Sequence, residues 1–455
     1  MISNFLATLV DYAWGLPLIV LLIGGGLYLG FVSRMASLRG FFHALKLIRG
    51  KGDNSHSSKK EEQIEGQISH FQALTNALSA TIGLGNIAGV AVAIGKGGPG
   101  AIFWMWISAL IGMNTKFFEC TLAVMFRGKD YAGETQGGPM YFLEKGLGKK
   151  AKPLAFFFAL CGLGGTLALF NVNQLTSFMH DQFQFPKMYL GIVLAIITGY
   201  VVFGGVKRIA SLTSKIVPLM CLLYVVLCLF IIFTNINQVP TLFIQIVTEA
   251  FTGKAVAGGA MGSAILFVMI QGIKRAAFSN EAGIGTAPMA HGNAKTNEPI
   301  AEGLVAMLGP FIDTILVCTM TAFTILICLT PEEMAQDNGV LMTLKAFEKA
   351  FGNSGKIFLG VSVFFFSFSS IFGFANYNKK CWDYLFKGLW PFGDIPFIIF
   401  YLASIILGAI ATMDDVINIL DICFAFMAIP NMIGTIILSS KVKDAMDDYF
   451  KRHKI

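Results

Sequence analysis

The sequence predicts an all-α polytopic membrane protein with about 11 transmembrane helices, ten of them in an inverted repeat of five plus five behind one extra N-terminal helix. Three observations lead there. Hydrophobic residues are 55% of the chain and charged residues 13%, with a mean hydropathy of +0.67, and apolar windows of about 20 residues, the length that crosses the hydrocarbon core, recur from end to end. The basic residues gather in alternate loops. Two of the windows are interrupted by glycine and polar residues, and these interruptions open the two halves of the repeat.

Taken in order, the windows fall at 14–33, 70–94, 100–126, 153–178, 188–206, 215–235, 260–290, 303–330, 356–386, 395–412 and 417–439. The first has Asp11 and no basic residue before it, runs past signal-peptide length and lacks an Ala-x-Ala site, so it reads as a retained helix with nothing cleaved. GKGDNSHSSKKEEQ, from Gly50, is a polar low-complexity linker, and 38–49, 239–253 and 339–352 read as amphipathic surface helices. The expected organisation is an extra helix and cytoplasmic linker at 1–67, a first five-helix repeat at 68–235, a second at 236–440 and a cytoplasmic tail at 441–455.

Charge sets the orientation. The loops after the first and third windows hold Arg34, Arg39, Lys46, Arg49, Lys51, Lys59 and Lys60, then Arg127, Lys129, Lys145, Lys149, Lys150 and Lys152. With the later loops on that side, about 25 basic residues collect there by the positive-inside count. The other side has Lys96, Lys187, Lys254, Lys345, Lys349 and Lys356, so the N-terminus is expected outside and the C-terminus in the cytoplasm. A net charge of +7 is no nucleic-acid signature when the basic residues form short blocks between apolar windows and not one face. The eight cysteines form no CxxC pair and mostly sit in apolar windows, which argues against a metal or disulfide framework.

In lipid a free backbone N–H or C=O has no water to bond, so a glycine-rich interruption of a span needs a reason. TIGLGNIAGV, residues 81–90, interrupts the second window; FSNEAGIGTAP, residues 278–288, interrupts the seventh. One such stretch alone more often marks a close helix contact than a ligand site. Two at repeat-related positions favour the ligand site, because the two spans then cross in opposite directions and their unwound middles meet near the midplane, where secondary transporters hold substrate and coupling ion. Each break frees N–H groups at the positive end of one half-helix and C=O groups at the negative end of the other, a match for a zwitterionic amino acid and a sodium ion. A solute channel, the competing class, would show a repeated pore element and charge rings. GLGNIAG has GxGxxxG spacing without a βαβ context, and no HExxH, GxxxxGK[ST] or nucleophile and base pair is present, so no enzyme is expected.

The stretches SHFQALTNALSATIGLGNIAGVAVAIGKGGPGAIFWMWISALIGMNTKFFECTLAVMFR from Ser69, GGPMYFLEKGLG from Gly137, FSNEAGIGTAPMAHG from Phe278 and FIDTILVCTMTAFTIL from Phe311 closely resemble the alanine or glycine:cation symporter family of the amino acid-polyamine-organocation superfamily. The resemblance implies a ten-helix core shared with neurotransmitter:sodium symporters, one preceding helix and a prokaryotic inner-membrane location. It also implies uptake of a small neutral amino acid, alanine or glycine, with Na+ or, in some members, H+. Two positions depart from the family's pattern. Leu84 stands where threonine is usual in a GTGN-like motif, and Phe374, in FSFSSIFGF, stands where tryptophan is usual, which brings in glutamine as an alternative substrate. The oligomeric state is open, with a monomer as the simpler expectation.

By this resemblance the substrate carboxylate meets the backbone N–H groups of Leu84 and Gly85, beside Thr81 and Gly83, while Phe278 and Phe374 wall its side chain and Ser279 receives the ammonium or a cation. Simple packing is the other reading of these residues. Asn86 either ligates an ion or caps the following half-helix. Ser369 and Ser370, matching the family's Ser-Thr pair, complete a sodium site with carbonyls around Ser79 and Ile82, or else bond back to their own helix. Asp313 raises cation affinity at another sodium site or satisfies a polar neighbour. Glu281, inside the second interruption, is a gating or coupling candidate that capping alone also explains. Lys116 and Glu119 lie one helical turn apart as an intramembrane pair, structural or coupling. Lys274 and Arg275 are placed to meet Glu281 or another gating acid, or to snorkel, and His291 is a titratable group near the cytoplasmic end.

Overall fold

Helices cover the apolar windows of the chain, whose computed structural model describes residues 2–50, 66–130, 133–252, 261–336, 339–386 and 394–455. All of the polar linker except Gly50 lies outside the described residues. By length and composition six helices can cross a membrane: Gly100–Met125, Lys149–Phe183, Gly205–Thr234, Pro299–Cys328, Ser354–Phe386 and Met413–Ile437. Two bent pairs, Phe5–Ala13 with Leu16–Val32 at 44° and His70–Thr81 with Gly85–Gly97 at 51°, raise the number to eight among the described residues. Lys187–Val202 and Ile395–Ile410 are apolar but shorter. The seventh window is Met261–Asn280, an unwound stretch, then Ala287–His291.

The differences from expectation have local causes. The first span begins well before residue 14, and its bend falls at Gly15, whose extended backbone precedes a new helical start with Pro17 in its first turn. Gly205–Thr234 starts ten residues ahead of the window because Lys207 and Arg208 hide its first turns from a hydropathy count. Residues expected to be a tail form the helix Ser439–His453, which buries Val442, Met446, Tyr449 and Phe450 on one face. A short antiparallel ribbon, Gly128–Lys129 against Thr135–Gln136, adds two strands to an otherwise helical chain. The amphipathic stretches appear as Phe41–Ile48, Val239–Thr252 and Val340–Phe351.

Packing brings the interrupted spans together. Met261–Asn280 lies against both Gly85–Gly89 and Val90–Gly97 of the first interrupted span, and against Gly100–Met125 on its other side. Ser354–Phe386 and Gly205–Thr234 flank His70–Thr81. The extra N-terminal span leans on Met413–Ile437, where the Trp14 indole N–H donates to the Asp421 carbonyl at 2.9 Å, and it reaches the second break through Leu22, beside Gly283.

That second break depends on two glycines. Gly283 and Gly285 have φ of 84° and 93°, and a Cβ on either would stand 2.6 Å from Leu22 Cδ2 or 2.7 Å from Pro139 Cγ. Gly283→Ala and Gly285→Ala should each cost about 1–3 kcal/mol from backbone strain, read as a lowered unfolding midpoint of the purified protein. Gly309→Ala, with nothing within 4 Å of its Cβ, should stay within about 0.5 kcal/mol of the parent. Equal midpoints for all three variants would contradict this account of the break.

Candidate functional site

The first break begins where His70–Thr81, started by a Ser69–Gln72 capping box, ends at Ile82, whose φ −76° and ψ 86° leave the helical region. The chain resumes helical turns at Gly85. Two peptide groups released between them find side-chain partners: the Gly83 N–H donates to Asn86 Oδ1 at 3.0 Å and the Leu84 N–H to Asn171 Oδ1 at 3.2 Å. A Cβ at 83 would overlap the Ser370 hydroxyl, so a larger residue there would have to turn that hydroxyl away. In the second break, Glu281 is left-handed at φ 56°, Asn280 Oδ1 accepts from the Ala282 N–H at 3.0 Å, and Asn431 donates to the Gly283 carbonyl at 2.8 Å.

The breaks are bonded to each other. Asn86 Nδ2 donates to Asp313 Oδ1 at 2.6 Å, to the Asp313 carbonyl at 3.1 Å and to Ser279 Oγ at 3.2 Å. The Ser279 and Thr314 hydroxyls each donate to Asp313 Oδ2 at 2.7 Å, and Asn280 donates to Thr314 at 3.0 Å. Asp313 lies in Phe311–Cys318, a stretch of wider π-type turns of the kind found at functional sites. Asn86, Ser279, Asp313 and Thr314 are fully buried. One carboxylate and two hydroxyls make an oxygen-rich donor set, the chemistry that suits a hard cation such as sodium, while the Asn86 amide turns its N–H groups to them and its oxygen to the Gly83 N–H.

The remaining sequence candidates divide. The helices of Ser79 and Ser370 meet at two glycines: Ser370 Oγ, buried without a hydrogen-bond partner, faces Gly83, and the Ser79 hydroxyl lies 2.6 Å from where a Cβ on Gly373 would be. Three hydroxyls bond back to helix carbonyls, Ser79 to Asn76 at 2.7 Å, Ser369 to Phe366 at 3.0 Å and Thr81 to Ala77 at 3.3 Å, and Ser369 also reaches the Met220 sulfur. Ile82 is wholly buried, its N–H bonded to the Leu78 carbonyl. The Phe278 ring faces Gly85 and packs against Phe170 and Phe424, with centroids 5.0 and 5.8 Å away. Phe374 sits beside Tyr377 at 6.2 Å.

Lys116 and Glu119 do pair, at 4.0 Å, and Glu119 also accepts from Asn431 at 2.8 Å, which ties the pair to the second break. Glu281 accepts from the Thr286 hydroxyl, and its other oxygen is buried without a hydrogen-bond partner. Lys274 and Arg275 do not meet Glu281. Both bond Asp421 on Met413–Ile437, at 2.7 and 2.6 Å, and Arg275 lies 5.2 Å above the Phe278 ring. His291 is not solitary: it shares Glu302 with His70.

Sequence reasoning passed over Asn171, Asn431, Asp421, Thr314 and Glu302. Asn171, Asn431 and Asp421 each left a signal, since a polar or ionisable residue inside an apolar span is costly and needs a partner, whereas Glu302 lies just outside the eighth window. FNVNQLTS in the fourth span and IPNMIG and LDIC in the last are such signals. What the chain order withholds is the partner, 87 residues away for Asn171 and 312 for Asn431 with Glu119.

Residues 1–455 match the family described as "Sodium:alanine symporter family". The Methanococcus maripaludis "Sodium/alanine symporter AgcS" is 40% identical over 447 residues, covering 96% of this chain and 94% of the relative. The Bacillus subtilis "Probable sodium/glutamine symporter GlnT" is 36% identical over 448 residues, covering 98% and 90%. Among solved structures, MhsT in complex with L-phenylalanine aligns with a TM-score of 0.49 at 16% identity, covering 84% of this chain and 89% of that one.

The Asp421 cluster gives a direct stability test. Removing the carboxylate leaves the buried Arg275 and the partly exposed Lys274 without it, so Asp421→Ala should destabilise by about 3–5 kcal/mol, measured by thermal unfolding of the solubilised protein. An unchanged midpoint would show that Lys274 and Arg275 do not depend on this acid.

Proposed function

The chain belongs to the sodium:alanine symporter family, so it is a multi-pass membrane transporter and not an enzyme, and from that premise we propose that it imports a small neutral amino acid together with sodium by alternating access. Alanine and glycine are the first substrates to test and glutamine the next, because relatives carry the names of sodium/alanine and sodium/glutamine symporters. The observation that carries the reading is the Asn86 amide, which bonds the first break through Gly83 and the second through Ser279, with Asp313 between them.

In this reading the substrate carboxylate takes the Leu84 N–H from Asn171 and finds the Gly85 N–H beside it, where a half-helix begins and its dipole favours an anion. The ammonium meets Ser279 and nearby carbonyls, and Phe278 and Phe374 limit the side chain. One sodium is held at Asp313 and Ser279, with Asn86 joining it once its amide turns its oxygen from the Gly83 N–H. A second lies between the first break and Ser354–Phe386, where Ser370 Oγ faces Gly83 without a hydrogen-bond partner; Ser369 joins it by turning from the Phe366 carbonyl, and carbonyls around Ser79 and Ile82 supply the rest. An ion there joins two helices, so it favours one arrangement of the bundle and substrate binding gains through linkage. The N-terminus faces out and the C-terminus in, by the distribution of basic residues.

Uptake into proteoliposomes tests this. Neutral amino acids should accumulate against their gradient only with an inward sodium gradient; accumulation led by glutamate or lysine, or indifferent to sodium, would overturn it. Ser369→Ala with Ser370→Ala should raise the sodium concentration for half-maximal uptake about tenfold, equivalent to about 1.4 kcal/mol, with substrate affinity at saturating sodium little changed. Leu84→Thr and Phe374→Trp should reorder the preferred side chains. A ranking unmoved by both would misplace the pocket.

A further inference from the structure

The end of the bundle where the first interrupted span begins and the second finishes is stitched together twice. The backbones join first: the Gln67 and Ile68 N–H groups donate to the Asn293 carbonyl at 2.8 and 3.3 Å, and the Lys295 N–H donates to the Ile68 carbonyl at 2.7 Å, a parallel bridge between Ile68 and Ala294. One carboxylate then holds both spans. Glu302, on Pro299–Ala306, bonds Nδ1 of His70 with one oxygen and Nδ1 of His291 with the other. His70 is the first residue of His70–Thr81 and His291 the last of Ala287–His291. All three are buried, at 6%, 0% and 1% exposure for His70, Glu302 and His291, and none belongs to the substrate or ion site.

The charged and titratable neighbours have other attachments. The Arg127 guanidinium bonds the carbonyls of Gly292, Ala294 and Thr296, and Lys380 bonds Gln136 and Asn293 at 2.7 and 2.9 Å. On Gly100–Met125, which packs against Pro299–Ala306, are the Cys120 thiol and the Lys116–Glu119 pair. Glu298 pairs with Arg452 from Ser439–His453, and on Phe41–Ile48 His43 bonds Tyr449, with Lys46 on the same helix.

Two neutral imidazoles donating to Glu302 would leave one net negative charge buried. Adding a proton to either ring keeps both Nδ1–H donors and makes the group of three neutral, the favoured state away from water. Imidazole is the side chain that takes such a proton at ordinary pH. We propose that His70, Glu302 and His291 form a proton-binding site that locks this end shut: the closed end holds one extra proton, and opening to water releases it. With the orientation proposed above this end faces the cytoplasm, so cytoplasmic acid holds the transporter closed inward. That last step rests on the transport reading; the proton site does not.

Hydrogen exchange of the solubilised wild-type protein at pH 6 and pH 8, corrected for intrinsic exchange, separates the two. The amides of Gln67, Ile68 and Lys295 should be more protected at pH 6, by at most about tenfold per pH unit because one proton is involved, while amides within Gly100–Met125 show no such difference. His70→Gln combined with His291→Gln keeps side-chain donors but cannot take the proton, and should erase the difference while leaving protection at pH 8 near wild type. A purely structural clamp would lose protection equally at both pH values. Equal wild-type protection at the two pH values, or a double variant that keeps the wild-type difference, would overturn the proposal. If the double variant fails to fold, the wild-type comparison still decides. Should uptake prove independent of sodium while the pH difference stands, only the transport reading falls.

Discussion

Everything at the centre of this molecule depends on what happens to peptide groups released inside a membrane. A span that unwinds exposes N–H and C=O groups to a medium with no water, and each left unpaired costs about 1–3 kcal/mol. The chain answers with asparagines. Asn86 and Asn171 accept from Gly83 and Leu84 in the first break, and Asn280 and Asn431 serve Ala282 and Gly283 in the second. The amide side chain carries both a donor and an acceptor, so it can repair either kind of orphan and still bond elsewhere.

That second bond turns repair into coupling. Asn86 continues to Asp313 and Ser279, and Asn431 continues to Glu119, so neither break can change shape without disturbing a helix beyond it. The second interrupted span is also fastened on both sides of its break. Lys274 and Arg275 bind Asp421 before it, and His291 binds Glu302 after it. In the proposed transport cycle, a site between two such attachments opens to one side only when bonds on that side part, as alternating access requires.

The breaks were legible in the sequence because glycine and polar residues in an apolar window contradict the lipid environment. Lys116 with Glu119 was legible because helical spacing alone brings i and i+3 together. Asp313 declared itself as an acid where acids are costly. Other features were hidden for physical reasons. Lys274 and Arg275 pointed to an acid, but Asp421 lies some 146 residues on, and nothing local selects it over Glu281. The hydroxyl of Ser369 points back to its own helix, a rotamer choice that the residue type leaves open. Ser439–His453 escaped a hydropathy reading because only one face of it is apolar.

If one bonded cluster holds both amino acid and ion, their binding must be reciprocal. Calorimetric titration of the purified wild-type protein measures this without transport: alanine or glutamine, whichever binds more tightly, at low and saturating sodium, then sodium with and without that amino acid. The account predicts that sodium tightens the amino acid by the same factor as the amino acid tightens sodium. Amino-acid binding that is indifferent to sodium would contradict it.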